Sequence, residues 1–229
     1  MPQPLAKGAQ GRTGQPVEVA ISPLDLAGFL RLPAGASGLV IFAHGSGSGR
    51  HSPRNNHVAE ALGAAGIATL LLDLLTVAEE ADRANVFDIM LLADRLGGAV
   101  RWAAADGRTA TLPIGLFGAS TGAAAALVAA ARLDTAIRAV VSRGGRPDLA
   151  GSALARVRAP TLLIVGGADV DVLRLNRAAL ARLVGPAELI VVPGASHLFP
   201  EPGALDAVVD AARVWFLRYL GNVARNAGS

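Results

Sequence analysis

Apolar and polar positions alternate along the chain in blocks that predict strands and helices in turn. Short apolar runs predict eight β-strands, at residues 17–21, 26–32, 38–42, 67–73, 113–117, 137–142, 161–165 and 188–192. Helical patterns lie between them, at residues 53–65, 86–105, 123–133, 172–184 and 204–220, with an irregular start near 79–83 and a shorter helix near 148–155. Most strand runs are continuously apolar, which is typical of a parallel sheet covered on both faces. The pattern predicts an α/β fold with a mostly parallel, doubly wound sheet and helices on both faces.

The same pattern predicts a single domain over residues 17–220. No repeat, linker or second domain is evident. Residues 1–16 are polar and rich in Gly, Pro and Gln, so we expect a flexible N-terminal segment, and residues 221–229 are expected to form a loose tail. Only a short connection follows the strand at 137–142, which leaves no room for a large lid.

Composition narrows the class of protein. Hydrophobic residues make up 52% of the 229 residues and aromatic residues 4%, so the core is expected to consist of Leu, Val, Ile and Ala. The net charge of +3 comes from scattered arginines, which argues against a nucleic-acid partner. The absence of cysteine excludes disulfides, a thiolate metal site and a cysteine nucleophile. Without a signal-peptide pattern or a long apolar run, we expect a cytoplasmic protein with no membrane partner.

The strongest chemical signal is the pentapeptide Gly118-Ala119-Ser120-Thr121-Gly122. It follows an apolar strand pattern and precedes an alanine-rich helix pattern. A strand, a Gly-x-Ser-x-Gly turn and a helix in that order form a nucleophile elbow, in which the glycines allow a sharp turn that exposes the serine. Ser120 is therefore the predicted nucleophile.

A serine nucleophile needs a base and a group that orients the base. His197 is the only histidine after Ser120, and it follows the last predicted strand. The acid is expected after the strand at 161–165, where Asp169 and Asp171 are both candidates. We favour Asp169, which lies nearer the strand end, and expect Asp171 to be the N-cap of the next helix. His44 precedes Ser120 and is expected to stabilise its loop, and His57 is expected on the surface.

The oxyanion hole requires two backbone N–H groups. Thr121 follows the nucleophile and is the first expected donor. The second is expected from the glycine-rich loop after residues 38–42, where Ser46 is preferred and Gly45 and Gly47 stay open. This loop lacks the spacing of a phosphate loop or of a dinucleotide fingerprint. No metal or organic cofactor is expected.

Together these segments resemble the dienelactone hydrolase branch of the α/β-hydrolase superfamily. The resemblance rests on His44-Gly45-Ser46-Gly47, residues 118–122, Gly166-Gly167-Ala168-Asp169 and Gly194-Ala195-Ser196-His197, and it extends over about residues 17–220. It implies an α/β-hydrolase fold without a large lid and a serine hydrolase acting on esters or lactones. Dienelactone hydrolases proper use cysteine where this chain has Ser120, which favours a carboxylesterase-like relative.

Basic side chains near the predicted site suggest an anionic substrate group. His51, Arg54 and Arg143 are the candidates for substrate binding, with Arg50 and Arg146 near them. Each could instead only solvate the loop or helix start on which it lies, and an arginine at position 143 or 146 could form a salt bridge with Asp148.

The function expected from the sequence is hydrolysis of short-chain carboxylic esters or lactones through an acyl-enzyme, with a small-molecule ester as partner. The alternatives are hydrolysis of a thioester, amide or C–C bond, or a ligand-binding pseudoenzyme on the same fold. The acyl and alcohol groups and the oligomeric state are not specified by the pattern.

Overall fold

A computed structural model of the chain describes residues 14–221. Within them, eight strands form one sheet: β1 (Val17–Ile21), β2 (Leu26–Arg31), β3 (Leu39–Ala43), β4 (Ala68–Leu72), β5 (Ile114–Ala119), β6 (Ile137–Arg143), β7 (Thr161–Gly166) and β8 (Ala187–Val192). Their order in the sheet is β1-β2-β4-β3-β5-β6-β7-β8. The β1–β2 and β2–β4 pairs are antiparallel and the other five pairs are parallel. The predicted α/β-hydrolase fold class is confirmed.

Seven helices connect the strands of the described chain: α1 (Pro53–Ala64), α2 (Val77–Glu80), α3 (Arg83–Phe87), α4 (Ile89–Ala105), α5 (Thr121–Leu133), α6 (Val170–Leu180) and α7 (Ala204–Leu220). Residues of α4 and α5 pack in a core on one face of the sheet. Residues of α1 and α7 pack in a second core on the other face. The sheet is therefore covered on both sides, which explains why the two central strands β3 and β5 are apolar and buried at every position.

The first helix begins where its sequence predicts. The Ser52 hydroxyl accepts a hydrogen bond from the Asn55 N–H, and Pro53 occupies the first helical position. This cap fixes the start of α1 beside the glycine-rich loop after β3. The loop and the helix start consequently lie together at the carboxyl end of the sheet, where ligands bind in open α/β folds.

Three helix predictions are wrong in detail. The helix expected at 86–105 is interrupted at Asp88, whose carboxylate accepts the N–H groups of Met90 and Leu91 and starts α4 anew. The helix expected at 172–184 starts at Val170 and ends at Leu180. The short helix near 148–155 is a 3₁₀ stretch, Pro147–Arg156, with a kink at Gly151, where φ is +54°.

That 3₁₀ stretch is the whole connection between β6 and β7 apart from a few loop residues, so the described chain carries no large lid over the sheet edge. Among the described residues, no helix is both long and apolar enough to cross a membrane. Most of the predicted N-terminal segment (residues 1–13) and of the predicted tail (222–229) lies outside the described residues.

Candidate active site

Ser120 lies on a strained turn between β5 and α5. Its φ of +51° is unusual for a residue with a side chain and costs on the order of 1–3 kcal/mol. Three backbone hydrogen bonds hold the turn: the Ser120 N–H donates to the Arg143 carbonyl at 3.2 Å, and the Ser120 carbonyl accepts from Ala123 and Arg146 at 3.1 Å each. This sharp turn places the Ser120 side chain in a cleft at the edge of the sheet, as expected of a nucleophile elbow.

The turn is possible only because glycines flank it. A Cβ on Gly122 would overlap the carbonyl oxygens of Ala43 and His44, and a Cβ on Gly118 would overlap the backbone of Ala123. The glycine-rich loop therefore packs directly against the start of α5.

His197 and Asp169 form a hydrogen-bonded pair, with Nδ1 of the ring 2.7 Å from Oδ2 of the carboxylate. The Asp169 side chain is mostly buried, whereas that of His197 is half-exposed. A bond at Nδ1 orients the ring and leaves Nε2 available to a reacting group. Asp169 itself occupies the N-cap position of α6 but makes no capping bond, because its carboxylate turns to the histidine.

Asp171 does not have the role predicted for it. It lies inside the first turn of α6 and is exposed, so the expectation that it caps this helix is wrong. The N-cap position falls two residues earlier because α6 begins at Val170.

Ser120 and His197 line the same cleft, which we call the Ser120 cleft and which has a volume of 240 Å³. No hydrogen bond joins the two side chains in the described chain; such contacts often tighten only when substrate binds. A second cleft of 520 Å³, the His51 cleft, lies next to it, and Gly45, Ser46, Ser48, Ser52 and Arg54 line both.

The two predicted oxyanion-hole residues contact each other. The Ser46 N–H donates to the Thr121 hydroxyl at 3.1 Å. To stabilise an oxyanion, this N–H must either break that hydrogen bond or donate to both oxygens. Gly45 lies directly beside the nucleophile, since a Cβ placed on it would be 3.0 Å from the Ser120 Cβ. Thr121 is buried at the first position of α5, where helix N–H groups have no partner within the helix.

The basic residues near the site divide into paired and unpaired groups. Arg50 forms an ion pair with Asp73, and Arg146 forms a two-pronged pair with Asp148 at 2.9 and 2.8 Å. Arg54 and Arg143 line the Ser120 cleft, and neither has a carboxylate partner in the described chain. His51 lines only the His51 cleft, where its ring packs edge-on against Phe29.

Several supporting residues were not identified from the sequence. Asn55 accepts a hydrogen bond from Arg143 at 3.3 Å, and buried Asn176 donates to the Gly145 carbonyl at 2.9 Å. Glu201 accepts the Ser196 N–H at 3.0 Å and so fixes the loop that carries His197; this hydrogen bond lowers the pKa of Glu201. Asn and Glu are common on protein surfaces, so their presence in the sequence does not indicate a supporting role. The role becomes clear only from the residues that they contact in the structure.

The remaining histidines are structural. His44 accepts the Leu74 N–H at Nε2, and its Nδ1 lies 3.0 Å from the Gly45 carbonyl, so the ring joins the glycine-rich loop to the end of β4. His57 is exposed and pairs with Asp206 of α7. Among the described residues, no cluster of three or more His, Asp or Glu side chains could hold a metal ion.

The open, mostly parallel sheet, with Ser120 on its strained strand–helix turn and the Asp169–His197 pair beyond β7 and β8, defines the α/β-hydrolase class. Comparison with known proteins gives the family. Residues 26–220 match the dienelactone hydrolase family, and the chain belongs to that family.

Two comparisons have high sequence identity. A solved dienelactone hydrolase from Anabaena variabilis is 55% identical, with a TM-score of 0.86 over 90% of this chain and 99% of that one. A curated protein of Mycobacterium tuberculosis is 59% identical over 204 residues. That protein is named, provisionally, as a phosphoribosyl transferase. The match covers 89% of this chain but only 46% of that protein, so the chain spans about half the length of the curated relatives it matches.

A more distant structure supports the fold. A serine hydrolase without a lid from Xanthomonas campestris is 24% identical, with a TM-score of 0.72 over 95% of this chain and 98% of that one.

Proposed function

We propose that this chain hydrolyses short-chain carboxylic esters or lactones by acyl transfer through Ser120, with His197 as base and Asp169 as its orienting acid. The observation that carries the proposal is the 2.7 Å Asp169–His197 pair in the same cleft as a serine held at positive φ. Each group has the environment its role requires, since the acid is largely buried and the base and nucleophile are reached from the cleft.

In the first half of the reaction, the Ser120 oxygen attacks the ester carbonyl while its proton passes to Nε2 of His197. Asp169 stabilises the imidazolium that forms and keeps its own proton state. Negative charge develops on the carbonyl oxygen, where the Thr121 N–H and an N–H of the Gly45–Ser46 segment stabilise it. The tetrahedral intermediate then collapses, and His197 returns the proton to the departing alcohol.

In the second half, water enters the open cleft and loses a proton to His197 as it attacks the acyl-enzyme. The same donors stabilise the second oxyanion. Its collapse releases the carboxylic acid, and His197 returns the proton to the Ser120 oxygen. The half-exposed His197 ring gives water a direct route to the base. The reaction uses only these side chains, the backbone donors and one water molecule.

The transferase name of the mycobacterial relatives belongs to proteins about twice as long as the match. We do not extend that activity to this chain, because a Ser-His-Asp arrangement supports acyl transfer. Hydrolysis of a thioester, an amide or a C–C bond would use the same groups, whereas a ligand-binding pseudoenzyme would not need a strained serine beside an oriented histidine.

A panel of p-nitrophenyl esters with acyl chains of increasing length tests the proposal. We expect turnover of the short esters and a loss of several orders of magnitude in kcat for Ser120→Ala, with a residual rate about 10³-fold above water from the oxyanion hole. Equal turnover by the wild-type protein and Ser120→Ala would contradict it.

A further inference from the structure

Two arginines without an acidic partner share the Ser120 cleft. Arg143 ends β6 and is 6% exposed, and Arg54 occupies the second position of α1. Within the described chain, the side chain of Arg143 donates only to the Asn55 amide oxygen, and Arg54 makes no hydrogen bond. The Nε atoms of both are buried and lack a partner there.

This arrangement is costly for the folded protein. A buried charge normally has a counter-charge, and an unpaired one loses hydration without compensation. Burial, with the nearby charge of Arg54 adding to it, lowers the pKa of Arg143 to about 10, so this side chain is still charged at neutral pH. A purely structural arginine would be expected to have an acidic partner, as Arg50 and Arg146 do.

The surroundings favour an anion. Among the described residues, the side chains lining the Ser120 cleft include no Asp or Glu, while Ser46, Ser48 and Ser52 contribute hydroxyl groups. The cleft also borders the start of α1, a 12-residue helix whose N-terminal end carries partial positive charge. Arg143 is next to the nucleophile, because its carbonyl accepts the Ser120 N–H.

We propose that Arg54 and Arg143 bind a doubly charged phosphate group carried by the substrate, beside the ester bond that Ser120 attacks. Two guanidinium groups in a cleft without an acid are balanced by a dianion, which a phosphate monoester supplies at neutral pH. A carboxylate would neutralise only one of them. The planar donors of arginine and the serine hydroxyls together also match the several oxygens of a phosphate.

The binding step can be tested without catalysis. In Ser120→Ala protein, we expect inorganic phosphate and phenyl phosphate to raise the thermal unfolding midpoint, and benzoate or benzyl alcohol at equal ionic strength to raise it much less. Arg54→Gln should remove the phosphate effect. The matched control is Arg146→Gln, which removes an arginine already paired with Asp148 and should keep the effect.

The link to the proposed function is tested by inhibition of p-nitrophenyl acetate hydrolysis. Phenyl phosphate should compete with the ester, with an inhibition constant about 10- to 100-fold lower than that of benzoate, and this ratio should collapse in Arg54→Gln and persist in Arg146→Gln. Arg143→Lys keeps a charge but loses the planar donors, so an intermediate ratio is expected.

The outcomes separate the two proposals. Equal binding of benzoate and phenyl phosphate, or phosphate binding that survives Arg54→Gln, would overturn the phosphate site. Phosphate binding with no ester turnover would leave the site standing and contradict the esterase. Ester turnover without any effect of phosphate would support the esterase and contradict the phosphate site.

Discussion

Individual side chains at the site have separable roles, and the two aspartates of the loop after β7 show this most clearly. The Asp169→Asn change keeps the shape but presents an amide to His197 Nδ1, which disfavours the tautomer that the reaction needs. We expect kcat to fall on the order of 10⁴-fold. Exposed Asp171, two residues further on, is the matched control, and Asp171→Asn should keep kcat within a few-fold. Steady-state kinetics on p-nitrophenyl acetate decide between them, and a larger loss for Asp171→Asn would refute the assignment.

The sequence predicted which residues lie at the site better than it predicted the hydrogen bonds between them. The chain order after Ser120 leaves one histidine, and the loop after β7 offers two aspartates; the structure pairs His197 with Asp169. The sequence could not show that Arg143 donates to the Asn55 amide oxygen, or that the Ser46 N–H donates to the Thr121 hydroxyl. Those contacts join elements far apart in the chain, and spacing along one segment contains no information about them.

The start of α5 depends on close packing of backbone against backbone. The change Gly122→Ala places a Cβ against the Ala43 and His44 carbonyls, so we expect it to lower the free energy of unfolding by about 3 kcal/mol or more. Gly107→Ala is the control, because a Cβ there meets open space. Urea denaturation measures both variants, and equal midpoints would contradict the packing described for the elbow.

The short helices α2 and α3 border the His51 cleft, and we expect the Glu79 carboxylate to stabilise this segment. Glu79 accepts the Thr76 N–H, which lowers its pKa, and Arg95 pairs with it as well. A lowered pKa means that this stabilisation is present above the ordinary carboxyl range and is lost as pH falls through the folded value.

Hydrogen exchange of residues 76–88, corrected for intrinsic rates, should therefore accelerate between about pH 5 and pH 3 relative to α5. In Glu79→Gln the region should exchange faster already at neutral pH and show less pH dependence. Unchanged protection across this range in the wild-type protein would show that the carboxylate does not hold these helices.

Element boundaries were predictable where local signals decide them. Ser52 and Pro53 predict the start of α1, and the structure confirms it. The interruption at Asp88 escaped prediction because the apolar pattern continues across it, and the capping bonds of its carboxylate become visible only in three dimensions. The buried strands β3, β5 and β7 were found because continuous apolar runs are a strong signal of a buried parallel sheet.

At the scale of the whole fold, residues 14–221 form an open site. In the described chain, the connection between β6 and β7 contains only the 3₁₀ stretch Pro147–Arg156, which is too short to form a large lid. There is therefore no lid whose opening at an oil–water interface would expose a large apolar surface. We expect hydrolysis of soluble esters of roughly C2 to C6 acyl chains without interfacial activation. Rates measured across the solubility limit of a short ester should show no jump, and faster hydrolysis of a long-chain triglyceride emulsion would contradict the open site.

Covalent labelling of Ser120 tests the central claim most directly. A fluorophosphonate reacts with a serine only where a base and an oxyanion hole activate it, so the intact protein should gain one adduct that peptide mass spectrometry places on Ser120. Ser120→Ala should not be labelled, and Ser37→Ala, at the opposite end of the sheet, should be labelled as the wild-type protein is. Labelling of folded protein at another residue, or none at all while the protein remains folded, would contradict the account.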